Sequence, residues 1–434
     1  MRVSKIEINK YKSIKRPFVL EEPGKLHLFI GANNAGKTNI LDAIHQLYNT
    51  DKMRYKDTKT RLKITFTLIS KSGKTFTAEQ KGITKVFKID NRKIINQRAF
   101  KILDQHVIRI GATNPISINR LQDDYSKFRI NYKKEFSLFS NTLAKYIPQI
   151  KLTNIFDRDY HIQENDVARP FERLGDGFQQ VFIILMYLFN PQYKILLLEE
   201  PEIHLHPALI KKLLKILEDR NYENQIFLTT HSPIFIHTTN LHRIVRVVKE
   251  KQGTVVYSPR LTGRKLNYTR LKQELNAENS EMLFTDKVLL VEGPSDHILL
   301  RGLIDRFYDG EKDIKVIQTY GKSNVDVYTE LLEIFNIPYS VLLDRDALYD
   351  TGVKLLDSKI KREFTKSEPS LIKMLKKHNI YILPNGAIER NYPKKYQKRR
   401  NKKMQNAMYA ASHLTKKDYN SPLMKNIKEV IDKL

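Results

Sequence analysis

The 434-residue sequence contains no cysteine, which excludes disulfide bonds and metal sites built from thiolates. It also lacks a long apolar run, because the longest one, residues 181–189, is too short to cross a bilayer. Polar residues interrupt positions 1–15, so no signal-peptide pattern stands at the start. No internal repeat and no long low-complexity tract is visible. These absences predict a cytoplasmic protein without a membrane partner.

Negative charge is scarce relative to positive charge. Lysine and arginine total 76 against 48 aspartate and glutamate residues, which gives a formal net charge of +28. Such an excess attracts polyanions at long range and favours phosphate contacts that release counterions. The charge is compatible with nucleic-acid binding, and also with a basic surface that is merely solvated.

A phosphate-binding loop follows a short apolar run. The run ends at Gly31, and the pattern Gly-x-x-x-x-Gly-Lys-Thr occupies residues 31–38. Apolar residues then recur at helical spacing, so strand, loop and helix come in the order that a nucleotide site requires. Lys37 is predicted to reach the terminal phosphates and the Thr38 hydroxyl to bind Mg²⁺. The predicted contacts to ATP are Gly31, Asn33, Asn34, Gly36, Lys37, Thr38 and Asn39.

A second part of the nucleotide site is predicted at the end of the apolar strand 193–198. A nucleotide hydrolase needs one carboxylate to hold Mg²⁺ and another to orient the attacking water. Glu199 is the predicted Mg²⁺ ligand, and Glu200 is predicted to polarise the water. His231 follows another apolar strand, 225–229, and is predicted to contact the γ-phosphate.

A basic bridge at 249–281 leads to a second pattern of alternating strands and helices, typical of βαβ units. Glu292 and Asp296 follow one of its strands, and Asp344 and Asp346 follow another. Carboxylates at neighbouring strand ends repel one another unless cations bind between them. Two-metal phosphodiester chemistry uses such a cluster of oxygen ligands. These four residues are therefore the predicted metal ligands.

Together these motifs resemble the OLD (overcoming lysogenization defect) nucleases, which join an ABC-type ATPase head to a Toprim domain. Segments 9–14, 174–179 and 199–207 carry the resemblance in the head, and segments 292–296, 320–324 and 344–346 carry it in the second domain. The implied fold is α/β. An ABC/SMC-like P-loop ATPase domain at 1–280, with a helical insertion at about 113–166, precedes a Rossmann-like Toprim domain at 281–434 with a basic C-terminal segment.

The resemblance also implies roles for residues that spacing alone does not assign. Gly175 and Gly177 lie in the signature loop, which in relatives caps the γ-phosphate on a second subunit; Gly175 stands where ABC transporters usually have serine. Glu389 is similar to a further acidic ligand of OLD Toprim domains. Lys403, with Lys402 as the alternative, matches a late lysine that stabilises the transition state.

The implied activity is ATP-dependent cleavage of DNA with Mg²⁺, or with Mn²⁺ or Ca²⁺ at the Toprim site. The resemblance further implies a homodimer or higher homo-oligomer, a role in defence against phage or plasmid DNA or in DNA processing, and a helicase or other defence protein as partner. Two alternatives stay open. One is a non-cleaving, ATP-gated DNA clamp or sensor of SMC type, and the other is a strand-passage or primase enzyme, whose usual companion domains are not recognisable.

A run of basic residues lies at 394–403. Such a run is usually a solvated face, but close to the predicted metal site it is also suited to follow DNA phosphates. Tyr392 and Tyr396 are interleaved with it and are predicted candidates for stacking on bases.

Overall fold

A computed structural model describes residues 1–47, 60–67, 74–82, 84–111, 115–148, 150–152, 161–164, 167–219, 222–259, 269, 271, 275–350, 353, 355–356, 367–398 and 402–434. The chain divides into two compact units, Met1–Pro259 and Arg260–Leu434. Among the described residues, no helix combines the length and the apolarity needed to cross a membrane.

The first unit contains fifteen strands and six helices in the part of the chain that the structure describes. The strands are β1 (Arg2–Lys10), β2 (Phe18–Glu21), β3 (Leu26–Ile30), β4 (Arg61–Thr67), β5 (Thr75–Lys81), β6 (Thr84–Ile89), β7 (Arg92–Ile94), β8 (Val107–Gly111), β9 (Ile150–Leu152), β10 (His161–Glu164), β11 (Val167–Pro170), β12 (Ile195–Glu199), β13 (Gln225–Thr230), β14 (Ile244–Glu250) and β15 (Gly253–Tyr257). The helices are α1 (Lys37–Gln46), α2 (Asn96–His106), α3 (Ile118–Asn131), α4 (Lys133–Tyr146), α5 (Asp176–Phe189) and α6 (Pro207–Glu218).

A mostly parallel sheet of order β15-β14-β3-β13-β12-β8 forms the centre of this unit. Every residue of β3, β12 and β13 is buried, which explains why these strands read as apolar runs rather than as alternating patterns. The neighbouring pairs β3–β13 and β13–β12 are parallel, so their carboxyl ends lie at one edge. The phosphate loop, Glu200 and His231 follow those three ends, which is the usual place of a ligand site in such a sheet.

A second, antiparallel sheet has the order β2-β1-β4-β5-β6-β7. Its buried residues share one hydrophobic core with α1 and with the parallel sheet. That core includes Ile6, Phe76, Phe87, Ile40, Leu41, Phe29 and Phe227. The helix that begins in the phosphate loop is therefore fixed by packing against both sheets.

The region for which a helical insertion is predicted contains α3 and α4, followed by a small sheet of order β11-β10-β9. The rings of Phe139 and Phe182 pack edge to face at 5.5 Å, which joins α4 to α5. The two tyrosine hydroxyls of Tyr187 and Tyr193 each donate to Asp124 at 2.8 Å. These contacts anchor the helical pair against the helix that precedes β12.

The second unit is a Rossmann-like α/β domain. Its strands are β16 (Lys287–Val291), β17 (Ile314–Gln318), β18 (Tyr339–Asp344) and β19 (Ile380–Leu383), in a parallel sheet of order β17-β16-β18-β19. Its helices are α7 (Ala277–Ser280), α8 (Pro294–Phe307), α9 (Val325–Ile334), α10 (Glu368–Lys376), α11 (Lys403–His413), α12 (Lys416–Tyr419) and α13 (Lys425–Asp432). The predicted fold class, a P-loop ATPase domain followed by a Rossmann-like domain, is confirmed.

Close packing of α11 on α8 positions the C-terminal helices. A Cβ atom on Gly302 would lie 2.7 Å from the Cβ of Ala411, so glycine is needed for the two helices to approach this closely. Arg306 of α8 also donates to the carbonyls of Ala411 and Leu414, each at 2.6 Å. These contacts fix α11, which begins at Lys403, relative to α8, which begins just after Glu292.

Candidate active sites

The phosphate loop has the backbone conformation that anion binding needs. Gly31 and Gly36 both have positive φ, 155° and 101°. A Cβ atom would collide with the Val247 carbonyl at Gly31 and with the Thr254 hydroxyl at Gly36. Gly36 is the residue before α1, so the loop leads directly to the N-terminus of a helix, where backbone N–H groups favour phosphate. The residues present therefore fit a nucleotide.

Lys37 is held inside this loop. Its ammonium donates to the carbonyls of Gly31 and Ala32 at 3.1 and 3.0 Å, and its side chain is only 3% exposed. Thr38 and Asn39 follow it in the first turn of α1. The more exposed part of the loop contains Asn33 and Asn34, the latter with a φ of 62°. The predicted nucleotide contacts thus form one continuous loop and helix start.

The side chains of Ser13, Asn39 and Thr254 support the loop. The sequence pattern does not indicate Thr254. Thr254, at the start of β15, donates to the Ala35 carbonyl at 2.8 Å. Its hydroxyl lies 2.6 Å from that of Ser13, which accepts from Asn39 at 2.6 Å. The opening segment 9–14 therefore lies beside the loop. Thr254 reaches the loop because β15 lies beside that segment, although the two are about 240 residues apart in the sequence.

Glu200 lies between two other predicted site residues. One carboxylate oxygen is 3.4 Å from the Lys37 ammonium, and the other is 3.6 Å from Nδ1 of His231. The Glu200 backbone has a φ of 44° and is held by its N–H, which donates to the Thr229 carbonyl at 2.9 Å. A non-glycine residue in this conformation is strained, and such strain occurs often at active sites. The structure brings Lys37, Glu200 and His231 together.

Glu199 has a protein cation as its partner. Its carboxylate accepts from Arg109 at 2.8 Å, and both side chains are 5% exposed. Arg109 also pairs with Asp42 of α1. The sequence did not indicate Arg109, which lies in the middle of β8. The Mg²⁺ role of Glu199 stays a prediction.

Glu202 is a further residue that the sequence analysis did not assign. Its Oε1 accepts from the Thr230 hydroxyl at 2.6 Å and from the His231 backbone N–H at 2.9 Å, and lies 3.4 Å from His231 Nδ1. Glu202 is buried, so these contacts fix the turn that positions His231. The sequence feature that could have indicated Glu202 is its position at the end of the Glu-Glu-Pro-Glu segment, residues 199–202.

The signature-loop glycines lie at the start of α5. Gly175 is the residue before the helix and is exposed. Gly177 packs against the turn after β12, because a Cβ atom there would lie 2.8 Å from the His204 carbonyl oxygen. Their predicted contact with a nucleotide on a second subunit stays a prediction.

A second site lies at the carboxyl edge of the sheet in the other unit. Glu292 follows β16, Asp344 is the last residue of β18, and Asp346 lies two residues further on. Each of the three offers one carboxylate oxygen, and these oxygens all lie within 4.8 Å of one another. Glu292 Oε1 also accepts the Asp344 backbone N–H at 2.7 Å, which fixes the two strand ends together. Three hard oxygen donors at this spacing fit a divalent cation such as Mg²⁺.

Asp296 belongs to the same acidic group. It lies in the first turn of α8 and accepts the Gly293 N–H at 2.9 Å, while Pro294 occupies the first helical position. Burial raises the pKa of Asp296 to about 7, and the charges of Glu292 and Glu389 add to the effect. Burial also raises the pKa of Asp344 to about 7, with Asp296 and Glu292 as the next causes. These carboxyls are close enough to resist simultaneous ionisation.

Glu389 and Lys403 complete this edge. Glu389 lies in a short turn after β19, and the Lys403 ammonium is 3.6 Å from its Oε1. Glu389 raises the pKa of Asp296, whereas Lys403 lowers it, so both lie near the acidic group. The structure therefore brings all five predicted acidic ligands and the predicted lysine to one region, and Lys402 is the residue that precedes α11.

Lys322 is a site residue that the sequence analysis did not single out. Its ammonium lies 2.5 Å from Asp346 and 3.2 Å from Asp350. In the sequence, Lys322 belongs to segment 320–324, which resembles OLD nucleases, but the resemblance assigns no role to this lysine.

The two tyrosines predicted to stack on bases, Tyr392 and Tyr396, are buried in the structure. Tyr392 and Tyr396 are 1% and 5% exposed and belong to the core of the second unit, and the Tyr396 hydroxyl donates to Asp418 at 2.5 Å. Their rings cannot stack on bases, so that prediction is wrong. Lys395 pairs with Asp418 at 2.8 Å, and Lys398 lies over the Tyr409 ring. Residues 399–401 lie outside the described part of the chain.

Family models match both units. One described as "AAA domain, putative AbiEii toxin, Type IV TA system" matches residues 53–237, and another described as "AAA domain" matches residues 1–104. The model "Overcoming lysogenization defect protein-like, TOPRIM domain" matches residues 283–346, which include Glu292, Asp344 and Asp346. The chain is therefore similar to AAA domains in its first unit and to OLD-like Toprim domains over part of its second. The predicted resemblance to the OLD family is confirmed.

Three curated relatives share parts of this sequence. The chain is 32% identical over 151 residues to endonuclease GajA of Bacillus cereus VD045, covering 33% of this chain and 26% of that protein. It is 26% identical to the OLD nuclease of Thermus scotoductus, covering 42% and 38%. A GajA endonuclease from Bacillus cereus HuB5-5 is 23% identical, covering 72% and 54%. The chain thus spans about a quarter to a half of the length of these relatives.

Proposed function

We propose that this chain is an ATP-hydrolysing DNA endonuclease of OLD type that depends on divalent metal ions. The observation that carries the proposal is the carboxylate cluster of Glu292, Asp344 and Asp346, with oxygens within 4.8 Å of one another in an OLD-like Toprim domain. A phosphate loop with glutamate and histidine at its edge, in the first unit, supplies the ATP-dependent part of the activity.

In the ATP site, the loop residues Gly31–Lys37 bind the phosphates and Lys37 compensates their charge. Thr38 and Glu199 hold Mg²⁺, and Glu200 orients the attacking water, since its carboxylate already lies beside Lys37 and His231. Glu202 keeps His231 in place through the contacts to residues 230 and 231. Gly175 and Gly177 cap the nucleotide of a second subunit in a homodimer or higher homo-oligomer.

In the Toprim site, Glu292, Asp296, Asp344, Asp346 and Glu389 hold the divalent ions. Mg²⁺, Mn²⁺ or Ca²⁺ at these oxygens would polarise the phosphodiester and make a bound water more acidic. Lys403, which lies beside Glu389, stabilises charge that develops on the phosphate.

DNA is the proposed substrate because the chain has a net charge of +28 and because Lys403, the last residue of the basic segment, lies beside Glu389. Two of the relatives are named endonuclease, and a third is named OLD nuclease. We place the activity in defence against phage or plasmid DNA, or in DNA processing, in the cytoplasm. A helicase or another defence protein is the proposed partner.

The deciding experiment incubates supercoiled plasmid with the purified chain, with and without ATP and with Mg²⁺, Mn²⁺ or chelator. We expect metal-dependent nicking in the wild type. Asp344→Ala removes a ligand that no neighbour at the same strand end replaces, so nicking should fall by at least about three orders of magnitude. ATP hydrolysis should survive, because that site is untouched.

Asp305→Ala is the matched control, because Asp305 is an exposed acidic residue on α8, outside the cluster. It should nick plasmid at the wild-type rate. Nicking by Asp344→Ala at the wild-type rate would exclude the cluster as the active site. ATP-dependent DNA binding with no nicking under any metal would instead support the clamp or sensor alternative.

A further inference from the structure

Lys322 is placed against one side of the acidic cluster. Its ammonium contacts Asp346 at 2.5 Å and Asp350 at 3.2 Å, and its side chain is 22% exposed. Asp346 is one of the three carboxylates that come within 4.8 Å of one another. A predicted metal ligand therefore already has a protein cation as its partner.

The backbone around Lys322 is tied to the strand end that supplies Glu292. The Gly321 N–H donates to the Glu292 carbonyl at 2.9 Å, and the Thr319 hydroxyl donates to the Gly321 carbonyl at 3.0 Å. The Asn324 amide donates to the Thr319 carbonyl at 2.8 Å, and Gly321 has a φ of 121°. These hydrogen bonds hold segment 319–324 in a defined turn, which keeps Lys322 beside the cluster.

A divalent ion at the cluster would change the position of the Lys322 ammonium. Two cations that share one carboxylate repel each other over a few ångströms. The Asp346 side chain is 69% exposed, so water screens part of this repulsion. The lysine side chain is a flexible stem with a compact charge, so its ammonium can leave Asp346 without a change in the backbone. Asp350 remains as a protein partner at 3.2 Å, and the phosphates of a bound DNA substrate are the further anions that can receive the ammonium.

We propose that Lys322 is an exchangeable counter-cation of Asp346, which competes with the divalent ion and, once displaced, binds a phosphate of the DNA. This inference rests on the proposed metal-dependent nuclease function, which it deepens by naming a substrate ligand. It predicts effects of opposite sign when the charge is removed: the metal binds more tightly, whereas DNA binds more weakly.

The first test is Mn²⁺ binding to the full-length chain by electron paramagnetic resonance, without DNA. Binding at the cluster is the part of the signal that Asp344→Ala removes. Lys322→Met keeps the length of the side chain and removes its charge, so we expect Mn²⁺ affinity to rise by about tenfold, equal to about 1.4 kcal/mol. Unchanged or weaker Mn²⁺ binding in both Lys322→Met and Lys322→Gln would overturn the competition.

The second test is the affinity for a duplex oligonucleotide in Ca²⁺, measured over a range of salt concentrations. Lys322→Met should bind DNA several-fold more weakly, and the slope of log affinity against log salt should fall by about one because one phosphate contact is lost. An unchanged slope would overturn the phosphate contact. Lys315→Met is the matched control, since Lys315 pairs with Glu281 rather than with the cluster, and it should match the wild type in both assays.

These readouts separate the inference from the proposed function. A wild type that does not nick plasmid would contradict the nuclease proposal, whereas Mn²⁺ and DNA binding would still decide the role of Lys322. Conversely, a wild type that nicks, with Lys322→Met unaltered in both binding assays, would contradict only the inference.

Discussion

Replacing Asp296 by asparagine should remove a pH-dependent loss of unfolding free energy from the metal-free protein. Burial raises the pKa of Asp296 from 3.8 to about 7, helped by Glu292 and Glu389. The unfolded chain ionises this group near 3.8, so the folded state resists an ionisation that the unfolded state allows. An asparagine side chain at this position would stay neutral, and its amide oxygen could still accept the Gly293 N–H that starts α8.

The sign and the size follow from the two pKa values. An acid with a raised folded pKa stabilises the fold fully below the unfolded value and loses that contribution as the pH rises through the folded value. The window therefore runs from about pH 4 to about pH 7. Since each pKa unit corresponds to about 1.4 kcal/mol, the rise to about 7 costs the wild type at most about 4 kcal/mol above the window.

The assay is urea-induced unfolding with chelator, at several pH values between about 4 and 8, for the wild type and Asp296→Asn. The difference in unfolding free energy should be small at about pH 4 and should grow in favour of the variant up to about pH 7. Titrating groups remote from Asp296 cancel in this difference, whereas Asp344 loses a like-charged neighbour in the variant, which adds to the variant's gain. Asp305→Asn, an exposed change on the same helix, should follow the wild type throughout.

Metal ions should narrow the difference in stability between the variant and the wild type. At about pH 7.5 a divalent ion at 100 times its dissociation constant should stabilise the wild type by about 2.7 kcal/mol. Asp296→Asn has lost one carboxylate and should gain less. If the stability curves of wild type and variant run parallel in chelator, Asp296 does not carry a raised pKa and the argument from mutual repulsion fails.

Further predictions concern the nucleotide site and the basic segment. Lys37→Ala should abolish ATP binding and Glu200→Gln should keep binding but lose hydrolysis; normal turnover in Glu200→Gln would remove that residue from its role. Glu202→Ala should lower kcat more than ATP affinity, and Glu202→Gln should recover most of the loss because its amide oxygen can still accept the two bonds from residues 230 and 231; equal losses in both would contradict a positioning role. Neutralising Lys394, Lys395, Lys398, Arg399 and Arg400 should flatten the salt dependence of DNA binding, whereas an unchanged slope would make the segment a solvated face.

The sequence was most informative where burial on both faces produced an uninterrupted apolar run. The strand predicted at 225–229 is present with one added residue in β13, and the strand predicted at 193–198 begins two residues later as β12. Helix α6 begins at Pro207, and proline at the first helical position is a signal for such a start that the sequence carries. Acidic groups after parallel strands were predicted to meet, and the cluster agrees because such strand ends share one edge.

What the sequence did not reveal depends on pairing between distant segments. Thr254 supports the phosphate loop only because β15 returns beside segment 9–14, and Arg109 reaches Glu199 only because β8 pairs with β12. The short strands β9–β11 carry no clear alternation. Tyr396 was misjudged because its charged neighbours suggested an exposed segment, whereas its ring belongs to the core of the second unit.

The distribution of protein cations indicates where a divalent ion should bind. Arg109 compensates Glu199, Lys37 lies beside Glu200, Lys322 pairs with Asp346 and Lys403 lies beside Glu389. Within the acidic group, the acids of raised pKa are Glu292, Asp296 and Asp344. Burial is the main cause in each, and the neighbouring carboxylates add to it. The lysines of the second unit thus compensate the edge of the acidic group and leave its centre under-compensated. A divalent ion would relieve most repulsion at that centre, which is why the metal should stabilise the second unit.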